Sequence, residues 1–384
     1  MFSGIGLLLA SLLALSPLTS LPQAVQAAPP VPACTSERMT IPSFDGYPLA
    51  GKLYLPRGQN PQALVVYVNG SGPNTYENTR ALTEDTTFSY FDLVAQGFTG
   101  QNAAFFSYST RGVAPGSEPP YYCTIDPDAY QTYLPDNSVR DVAAIVTALR
   151  QDLRLSRARV YLLGWSEGTM IAPKAAQIVP VDGLLLAGYV NGTMRETLDW
   201  QQNGGSSMVT YCLYFDTDGD GAVSRAEYEA DPYGVRGALG LDQTAFPDLD
   251  VDGDGKLTAA DFSRLLAPTR QTLYAAIDRG DDAWLAQNYP VRLTTAWFRA
   301  HDAFPPNRDM LTTLDIPITI FQGEADANVP VQDTREIQAQ FAACGKTNLT
   351  VHTYPATDHD LNFSVYLSTG EWPQGWQDLF AAVR

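Results

Sequence analysis

The sequence predicts an α/β fold that is built on a mostly parallel β-sheet and is interrupted by a long helical insertion. Short apolar runs alternate with helical patterns in two parts of the chain, and this alternation is typical of β-α-β units. The alternation stops near Asn191 and resumes near Leu314. The residues between these points have helical patterning, two Asp/Gly-rich loops and no convincing strand, which indicates an insertion between two strands of the sheet.

Six short runs between these helical patterns predict the buried parallel strands of the sheet. They cover residues 63–68, 103–108, 160–164, 183–187, 318–322 and 349–354. Upstream, residues 39–55 form two extended segments around Asp45-Gly46, a dipeptide that favours a tight hairpin turn. We therefore expect an antiparallel hairpin at the N-terminal edge of the sheet.

The first part of the chain has the pattern of a signal peptide. Residues 1–27 contain no Asp, Glu, Lys or Arg, are apolar from Ile5 to Leu15, and end in Val25-Gln26-Ala27, the small-x-small form of a signal-peptidase site. An uncleaved anchor is the alternative, but the apolar run is shorter than the ~20 residues that a membrane-spanning helix needs. We predict cleavage after Ala27, a secreted or periplasmic protein, and no membrane span in the mature chain.

The net charge indicates which partners are excluded, and the cysteines bear on the cellular compartment. The formal net charge is −18, which argues against nucleic acid as a partner, since phosphate binding requires basic patches. Cys34, Cys123, Cys212 and Cys344 follow the predicted leader. Disulfides are possible in an exported protein, and four buried thiols are the alternative.

A serine motif supplies the candidate nucleophile. Gly164-Trp165-Ser166-Glu167-Gly168 follows a buried strand and opens a helix, the context in which G-x-S-x-G forms a nucleophile elbow. The turn imposes strained dihedral angles on Ser166 and crowds its neighbours, so small residues are needed at the flanking positions.

A serine hydroxyl needs a base beside it and a carboxylate that orients the base. His359 follows the last strand, where the order Ser, acid, His places the base. His352 lies inside that strand and is expected to pack, and His301 is expected at the surface or at an interface of the insertion, with a lid position as the alternative. Asp326 is the predicted acid, and Glu324 is its alternative.

The predicted oxyanion hole consists of two backbone amides. The residue after the nucleophile, Glu167, supplies one N–H by geometry. The other is expected from the glycine-rich loop after the first core strand, Asn69-Gly70-Ser71-Gly72-Pro73, and is assigned to Ser71.

These motifs together resemble a known group of enzymes. The residues that carry the resemblance are Gly70-Ser71-Gly72-Pro73, Ser109-Thr110-Arg111-Gly112 with Gly116-Ser117, the elbow with Glu167 and Gly168, and Gly323, Asp326 and Val329. Over residues 39–190 and 314–384 the chain resembles the serine aminopeptidase-like and acyl-esterase branch of the α/β-hydrolase superfamily. The resemblance implies hydrolysis of carboxylic esters, thioesters or amides through an acyl-enzyme. Asn69 and Trp165 stand where relatives often have His. These departures affect the expected substrate more than the expected catalytic triad.

Two acidic loops in the insertion predict calcium sites, because oxygen ligands recur at positions 1, 3, 5 and 12 with a glycine at position 6. The candidate ligands of the first loop are Asp216, Asp218, Asp220, the carbonyl of Ala222, and Glu227. Those of the second loop are Asp250, Asp252, Asp254, the carbonyl of Lys256, and Asp261. The second site is expected to be weaker, because Asp261 is one methylene shorter than Glu.

The spacing of the loops is that of a paired unit. Val223 and Leu257 occupy the eighth positions, where a short β-bridge couples paired loops. The loops resemble the EF-hand family, and the Asp-terminated second loop is also similar to dockerin repeats. We expect calcium to have a structural role that orders the insertion as a lid over Ser166.

The predicted organisation is a leader over residues 1–27, an α/β-hydrolase core over 28–192 and 313–384, and a helical cap over 193–312 that contains the EF-hand pair at about 216–261. The expected function is hydrolysis of carboxylic esters of small molecules by a Ser-His-Asp triad. A peptidase or amidase of the same fold is one alternative, and an inactive calcium-dependent binding or assembly module is the other.

Overall fold

Fourteen strands lie in the part of the chain that the computed structural model describes, residues 34–383. The leader predicted over residues 1–27 lies outside this part. The strands are β1 (Cys34–Pro42), β2 (Pro48–Pro56), β3 (Ala63–Val68), β4 (Thr79–Ala81), β5 (Thr87–Ser89), β6 (Ala103–Tyr108), β7 (Val113–Pro115), β8 (Cys123–Ile125), β9 (Arg159–Trp165), β10 (Gly183–Ala187), β11 (Val223–Ser224), β12 (Lys256–Leu257), β13 (Ile318–Gly323) and β14 (Leu349–Tyr354).

Helices connect the strands and fill the insertion, and none within residues 34–383 is long and apolar enough to cross a bilayer. The α-helices are α1 (Tyr90–Gly100), α2 (Pro127–Tyr130), α3 (Pro135–Leu149), α4 (Gly168–Ala176), α5 (Met194–Gln202), α6 (Gly205–Phe215), α7 (Arg225–Ala230), α8 (Phe246–Leu249), α9 (Ala259–Arg279), α10 (Asp282–Asn288), α11 (Thr295–Asp302), α12 (Asn307–Met310), α13 (Val331–Ala343), α14 (Phe363–Thr369) and α15 (Gln374–Ala381).

Eight of the strands form the central sheet, in the order β1-β2-β6-β3-β9-β10-β13-β14. β2 pairs antiparallel with both β1 and β6, and the remaining neighbours run parallel. The mostly parallel sheet and the N-terminal antiparallel hairpin predicted from the sequence are therefore confirmed. β9 extends one residue beyond its predicted range at each end, and β13 extends one residue further at its C-terminal end.

Both faces of the sheet are covered, as the continuous apolar runs require. Side chains alternate along a strand, so Leu64 and Val66 of β3 enter one hydrophobic cluster and Val65 and Tyr67 enter another. Helices α3, α4 and α13 contribute to the first cluster, and α1 and α15 contribute to the second. This two-sided core fixes the carboxyl ends of the strands that carry the candidate site.

The helices from α5 to α12 lie between β10 and β13 and form a cap. One part of the cap has its own hydrophobic cluster, in which Tyr211 and Phe262 pack around the short pairing of β11 with β12. A second cluster joins the cap to the core, because Trp297 of α11 packs in one group with Tyr133, which precedes α3. The cap is thus attached to the core next to the elbow that follows β9.

All four cysteines are unpaired, so the possible disulfides are not formed. Cys34 lies in β1, Cys123 in β8, Cys212 in α6, and Cys344 at the C-terminal end of α13. The fold pairs β1 with β2 and β8 with β7. The four thiols lie on four separate elements, and none of them is fully buried.

A buried arginine links three segments at one end of the sheet. The Arg111 guanidinium, just after β6, donates to both carboxylate oxygens of Asp141 in α3 at 2.7 and 2.6 Å. It also donates to Asp45 in the β1–β2 turn at 2.7 Å, and this contact lowers the pKa of Asp45 to about 2. The side chains of Arg111 and Asp141 are only 2% and 3% exposed. Removing Asp141 therefore leaves the buried guanidinium with Asp45 alone, and removing Arg111 leaves the buried carboxylate of Asp141 without a cation.

Replacing Asp141 by Asn should lower the free energy of unfolding by about 3–5 kcal/mol, because the buried Arg111 guanidinium loses its closest carboxylate. The matched control is Glu37→Gln, which removes a carboxylate from the exposed pair with Arg154 and should cost less than about 1 kcal/mol. Urea denaturation followed by circular dichroism measures both changes. Equal losses in the two variants would contradict the role assigned to burial.

Candidate active site and acidic loops

The turn after β9 holds Ser166 in a strained conformation. Ser166 has a φ of +55°, in the left-handed region that non-glycine residues rarely adopt, and its N–H donates to Ala187 O at 2.9 Å. A Cβ on Gly168 would lie 2.1 Å from Val68 O, and one on Gly164 would lie 2.4 Å from Gly168 O. The crowding expected from the sequence is present, and only glycine fits at these two positions.

His359 and Asp326 are brought together by the last two strands. His359 Nδ1 lies 2.8 Å from Asp326 Oδ2, and the Asp326 side chain is 1% exposed. A carboxylate only accepts hydrogen bonds, so Nδ1 donates and Nε2 is left to accept a proton. Asp326 also accepts from the N–H groups of Asn328 and Val329, at 2.8 and 2.9 Å. These bonds fix the carboxylate and, through it, the imidazole.

Ser166 and His359 line the same cavity, which has a volume of about 510 Å³. The imidazole lies against Gly188, where a Cβ would be 2.5 Å from His359 Cε1. Both the core and the cap contribute to the lining, the latter through Val291 and Trp297. A substrate at Ser166 would therefore contact the cap as well as the core.

The loop after β3 runs directly beside the nucleophile. A Cβ on Gly70 would lie 3.1 Å from Trp165 O and 3.3 Å from Ser166 Cβ. Ser71 lines the same cavity as Ser166, and Glu167 directly follows Ser166 in the elbow. Of the two residues predicted to supply the oxyanion hole, Ser71 therefore shares the cavity with Ser166, and Glu167 is its neighbour in the chain.

The structure separates the remaining candidates by burial. Glu324, the alternative acid, is exposed, whereas Asp326 contacts His359. His352 lies in β14 and stacks on Phe321 with 5.5 Å between ring centroids. His301 is buried at the junction of cap and core, which agrees with the predicted interface position and not with a surface one, and it is not among the residues that line the cavity.

Opposing effects set the ionisation of His359. Burial by itself lowers its pKa, but Asp326, Asp360 and Asp358 together raise the pKa above its usual value. Burial also raises the pKa of Asp358 to about 6. Arg80 forms an ion pair with Asp360 at 2.7 Å. His359 therefore stays protonated to a higher pH than an ordinary histidine.

Some residues of the site could not be assigned from the sequence. The carboxylate of Glu167 is buried and accepts hydrogen bonds from Tyr133, Trp297 and His301. Arg80 also lines the cavity. The sequence predicts a role for the backbone amide of Glu167, and no motif predicts the partners of its side chain. A charged residue inside an otherwise buried turn is the one signal that could have drawn attention to it.

The first acidic loop assembles a set of oxygen ligands. Carboxylate oxygens of Asp216, Asp218 and Glu227 lie within 4.8 Å of one another. Asp216 accepts from Gly219 N at 2.7 Å and from Gly221 N at 2.9 Å, which winds the loop around its carboxylate. A donor set of carboxylates on a tight loop fits a hard cation such as Ca²⁺.

The second loop also groups three carboxylates, but at loop positions 1, 3 and 5, where the first loop groups positions 1, 3 and 12. Oxygens of Asp250, Asp252 and Asp254 lie within 4.8 Å of one another, and the predicted pairing of Val223 with Leu257 joins the loops. Two predicted carboxylate ligands lie outside these groups. Asp220 of the first loop contacts the Lys256 ammonium at 2.5 Å. Asp261 of the second loop is fully buried and accepts from Val251 N and Thr258 N at 2.9 Å, as Glu227 accepts from Thr217 N and Ser224 N at 2.8 Å.

The sheet order and the strained serine turn after β9 define a class of α/β enzymes whose reactive side chain stands at the carboxyl edge of the sheet. Residues 65–369 match the Alpha/beta hydrolase family, and the chain belongs to that family.

Esterase EstD of Thermotoga maritima is 26% identical to the chain over 153 residues, which are 40% of this chain and 33% of EstD. The chain thus matches about a third of the length of that relative. Among solved structures, an esterase of Pyrococcus furiosus has a TM-score of 0.49 at 13% identity and covers 91% of this chain and 90% of its own. An esterase of Pyrobaculum calidifontis has a TM-score of 0.49 at 14% identity, covering 100% of this chain and 90% of its own.

The ionisation of His359 can be measured directly, because the chain contains only three histidines. An NMR titration of the imidazole protons should give His359 a pKa above the usual value of about 6.5. Asp326→Asn should lower that pKa, since it removes the closest negative charge. The matched control, Glu324→Gln, should leave it unchanged. A His359 pKa that follows Glu324 instead would reassign the orienting acid.

Proposed function

We propose that this protein is an exported serine hydrolase that cleaves carboxylic esters through an acyl-enzyme. The observation that carries the proposal is the pairing of His359 with Asp326 at the cavity that Ser166 lines. Membership of the hydrolase family supports the reaction class, and the esterase name of the Thermotoga maritima relative favours esters. Export rests on the signal-peptide pattern of residues 1–27.

In the proposed reaction, Ser166 Oγ attacks the acyl carbon while His359 Nε2 accepts the hydroxyl proton. The amides of Ser71 and Glu167 would stabilise the negative oxygen of the tetrahedral intermediate. His359 then gives the proton to the alcohol oxygen as the C–O bond breaks, which leaves an acyl-enzyme. Water attacks this ester, its proton passes through His359 to Ser166 Oγ, and the carboxylic acid is released.

The cavity favours a small-molecule acyl substrate. Its volume of about 510 Å³ lies within the range of ~300–1,000 Å³ that is typical of small-molecule sites. Trp165 and Val291 offer apolar surface, and Asn74 and Arg80 offer polar groups. The cap approaches closely, since a Cβ on Gly72 would lie 2.9 Å from Val291 Cγ1. This closeness disfavours an extended polypeptide crossing the site.

We further propose that the acidic loops bind calcium and thereby stabilise the cap. The support is the matching geometry of Asp216 and Asp250, each of which accepts backbone hydrogen bonds from the glycines of its own loop. Calcium would neutralise the clustered carboxylates and hold the pairing of β11 with β12. The first site should be the tighter one, because Asp261 is one methylene shorter than Glu227 and reaches an ion less readily with both oxygens.

Wild-type protein should react with a fluorophosphonate probe and hydrolyse p-nitrophenyl acetate, and Ser166→Ala should abolish the labelling and lower turnover by at least about 10³-fold. The matched control, Ser117→Ala, removes an exposed hydroxyl and should behave as wild type. Comparison with p-nitroanilides distinguishes esterase from amidase activity. A wild type that remains unlabelled with calcium present would instead support a binding module.

Millimolar calcium should raise the thermal unfolding midpoint relative to EGTA, because a ligand that binds only the folded state stabilises it, by about 2.7 kcal/mol at 100 times Kd. Glu227→Gln should remove most of this gain. Glu229→Gln changes an exposed carboxylate on the same helix and should keep it. Indifference of both stability and esterase activity to EGTA would reject the structural role of calcium.

A further inference from the structure

The carboxylate next to the nucleophile is buried and is held from two sides. Glu167 is 1% exposed. Its Oε1 lies 3.1 Å from Trp297 Nε1 and 2.9 Å from His301 Nε2, both on the cap helix α11, and its Oε2 accepts from the Tyr133 hydroxyl at 2.5 Å. Because a carboxylate accepts only, all three groups act as donors. The cap and the core therefore meet at the side chain of the residue whose amide is assigned to the oxyanion hole.

The same network reaches the other side of the oxyanion hole. The Tyr133 hydroxyl accepts a hydrogen bond from Gly72 N at 3.3 Å while it donates to Glu167. Gly72 directly follows Ser71, the other residue assigned to the hole. One hydroxyl thus connects the loop after β3 with the elbow after β9, and neither connection passes through Ser166 or His359.

We propose that Glu167, Tyr133, Trp297 and His301 are positioning residues that set the two backbone amides of the oxyanion hole, so that docking of the cap is required for full turnover. The inference rests on the proposed function. A donor that is displaced from the developing oxyanion loses much of its effect, because stabilisation depends on preorganised geometry.

The physical reason is the cost of a buried carboxylate. The contacts of Glu167 among the described residues include neither Lys nor Arg, so its charge depends on three hydrogen-bond donors. Loss of the Tyr133 hydroxyl leaves Oε2 without a partner, and loss of His301 leaves Oε1 with Trp297 alone. Either change favours rotation of the side chain and a shift of the turn. A shift of the turn moves the Glu167 amide, and a shift of Tyr133 moves the loop that holds Ser71.

Tyr133→Phe tests the link within the core, and Tyr130→Phe is its matched control. Both tyrosines are 5% exposed and lie in the same hydrophobic cluster, but the Tyr130 hydroxyl donates to Arg292 O instead. Tyr133→Phe should lower kcat for p-nitrophenyl acetate about tenfold with little change in KM, and Tyr130→Phe should stay within about twofold of wild type. Thermal unfolding midpoints should be similar for the two variants.

A trifluoromethyl ketone gives a second reading, because its adduct with the nucleophile places an oxyanion in the hole. Its inhibition constant should rise about tenfold in Tyr133→Phe and remain unchanged in Tyr130→Phe, in parallel with kcat/KM. A variant that was only less stable would contain less folded enzyme, but that folded enzyme would bind the ketone as tightly as wild type does.

His301 tests the link from the cap. His301→Leu should lower kcat about tenfold, and His301→Gln, which keeps a side-chain N–H donor, should recover most of it. Equal activity of the Leu and Gln variants, or equal effects of Tyr133→Phe and Tyr130→Phe in an active enzyme, would overturn this inference alone. A wild type that neither hydrolyses esters nor reacts with the fluorophosphonate would overturn the proposed function itself.

Discussion

Close backbone contact at the carboxyl end of β9 is the constraint on which the site depends. Strand, turn and helix meet with so little space that only glycine fits at Gly164 and Gly168, and Ser166 adopts a positive φ as a result. The loop after β3 approaches the same turn through Gly70. Because sterics fix these segments against one another, the position of the Ser166 hydroxyl is set before any substrate binds.

Parallel topology explains why residues far apart in the chain converge there. Neighbouring parallel strands end at the same edge of the sheet, and β13 and β14 are paired along their whole length. Asp326 and His359 follow these two strands, and their 2.8 Å contact joins residues 33 positions apart. The core supplies both groups from rigid strand ends, which is the placement that precise geometry requires.

The cap contacts this edge of the sheet. Its hydrophobic cluster includes Val223 and Leu257 of the paired acidic loops, and α9 begins within the second loop and packs against α11. α11 in turn carries Trp297 and His301 to Glu167. A continuous set of packed elements therefore connects the proposed calcium sites with the residue next to the nucleophile. Stability of the cap and geometry of the elbow are expected to depend on each other.

The sequence by itself determined the sheet, the serine turn and the spacing of the acidic loops, because these features are encoded locally: β3 is apolar on both faces, and the elbow needs glycines beside Ser166. The tertiary structure alone decided what the cap contacts. The partners of Glu167 on α11 lie 130 and 134 residues away, and the cysteines remain on separate elements. Such contacts depend on how helices pack across the cap and core, which no local pattern records.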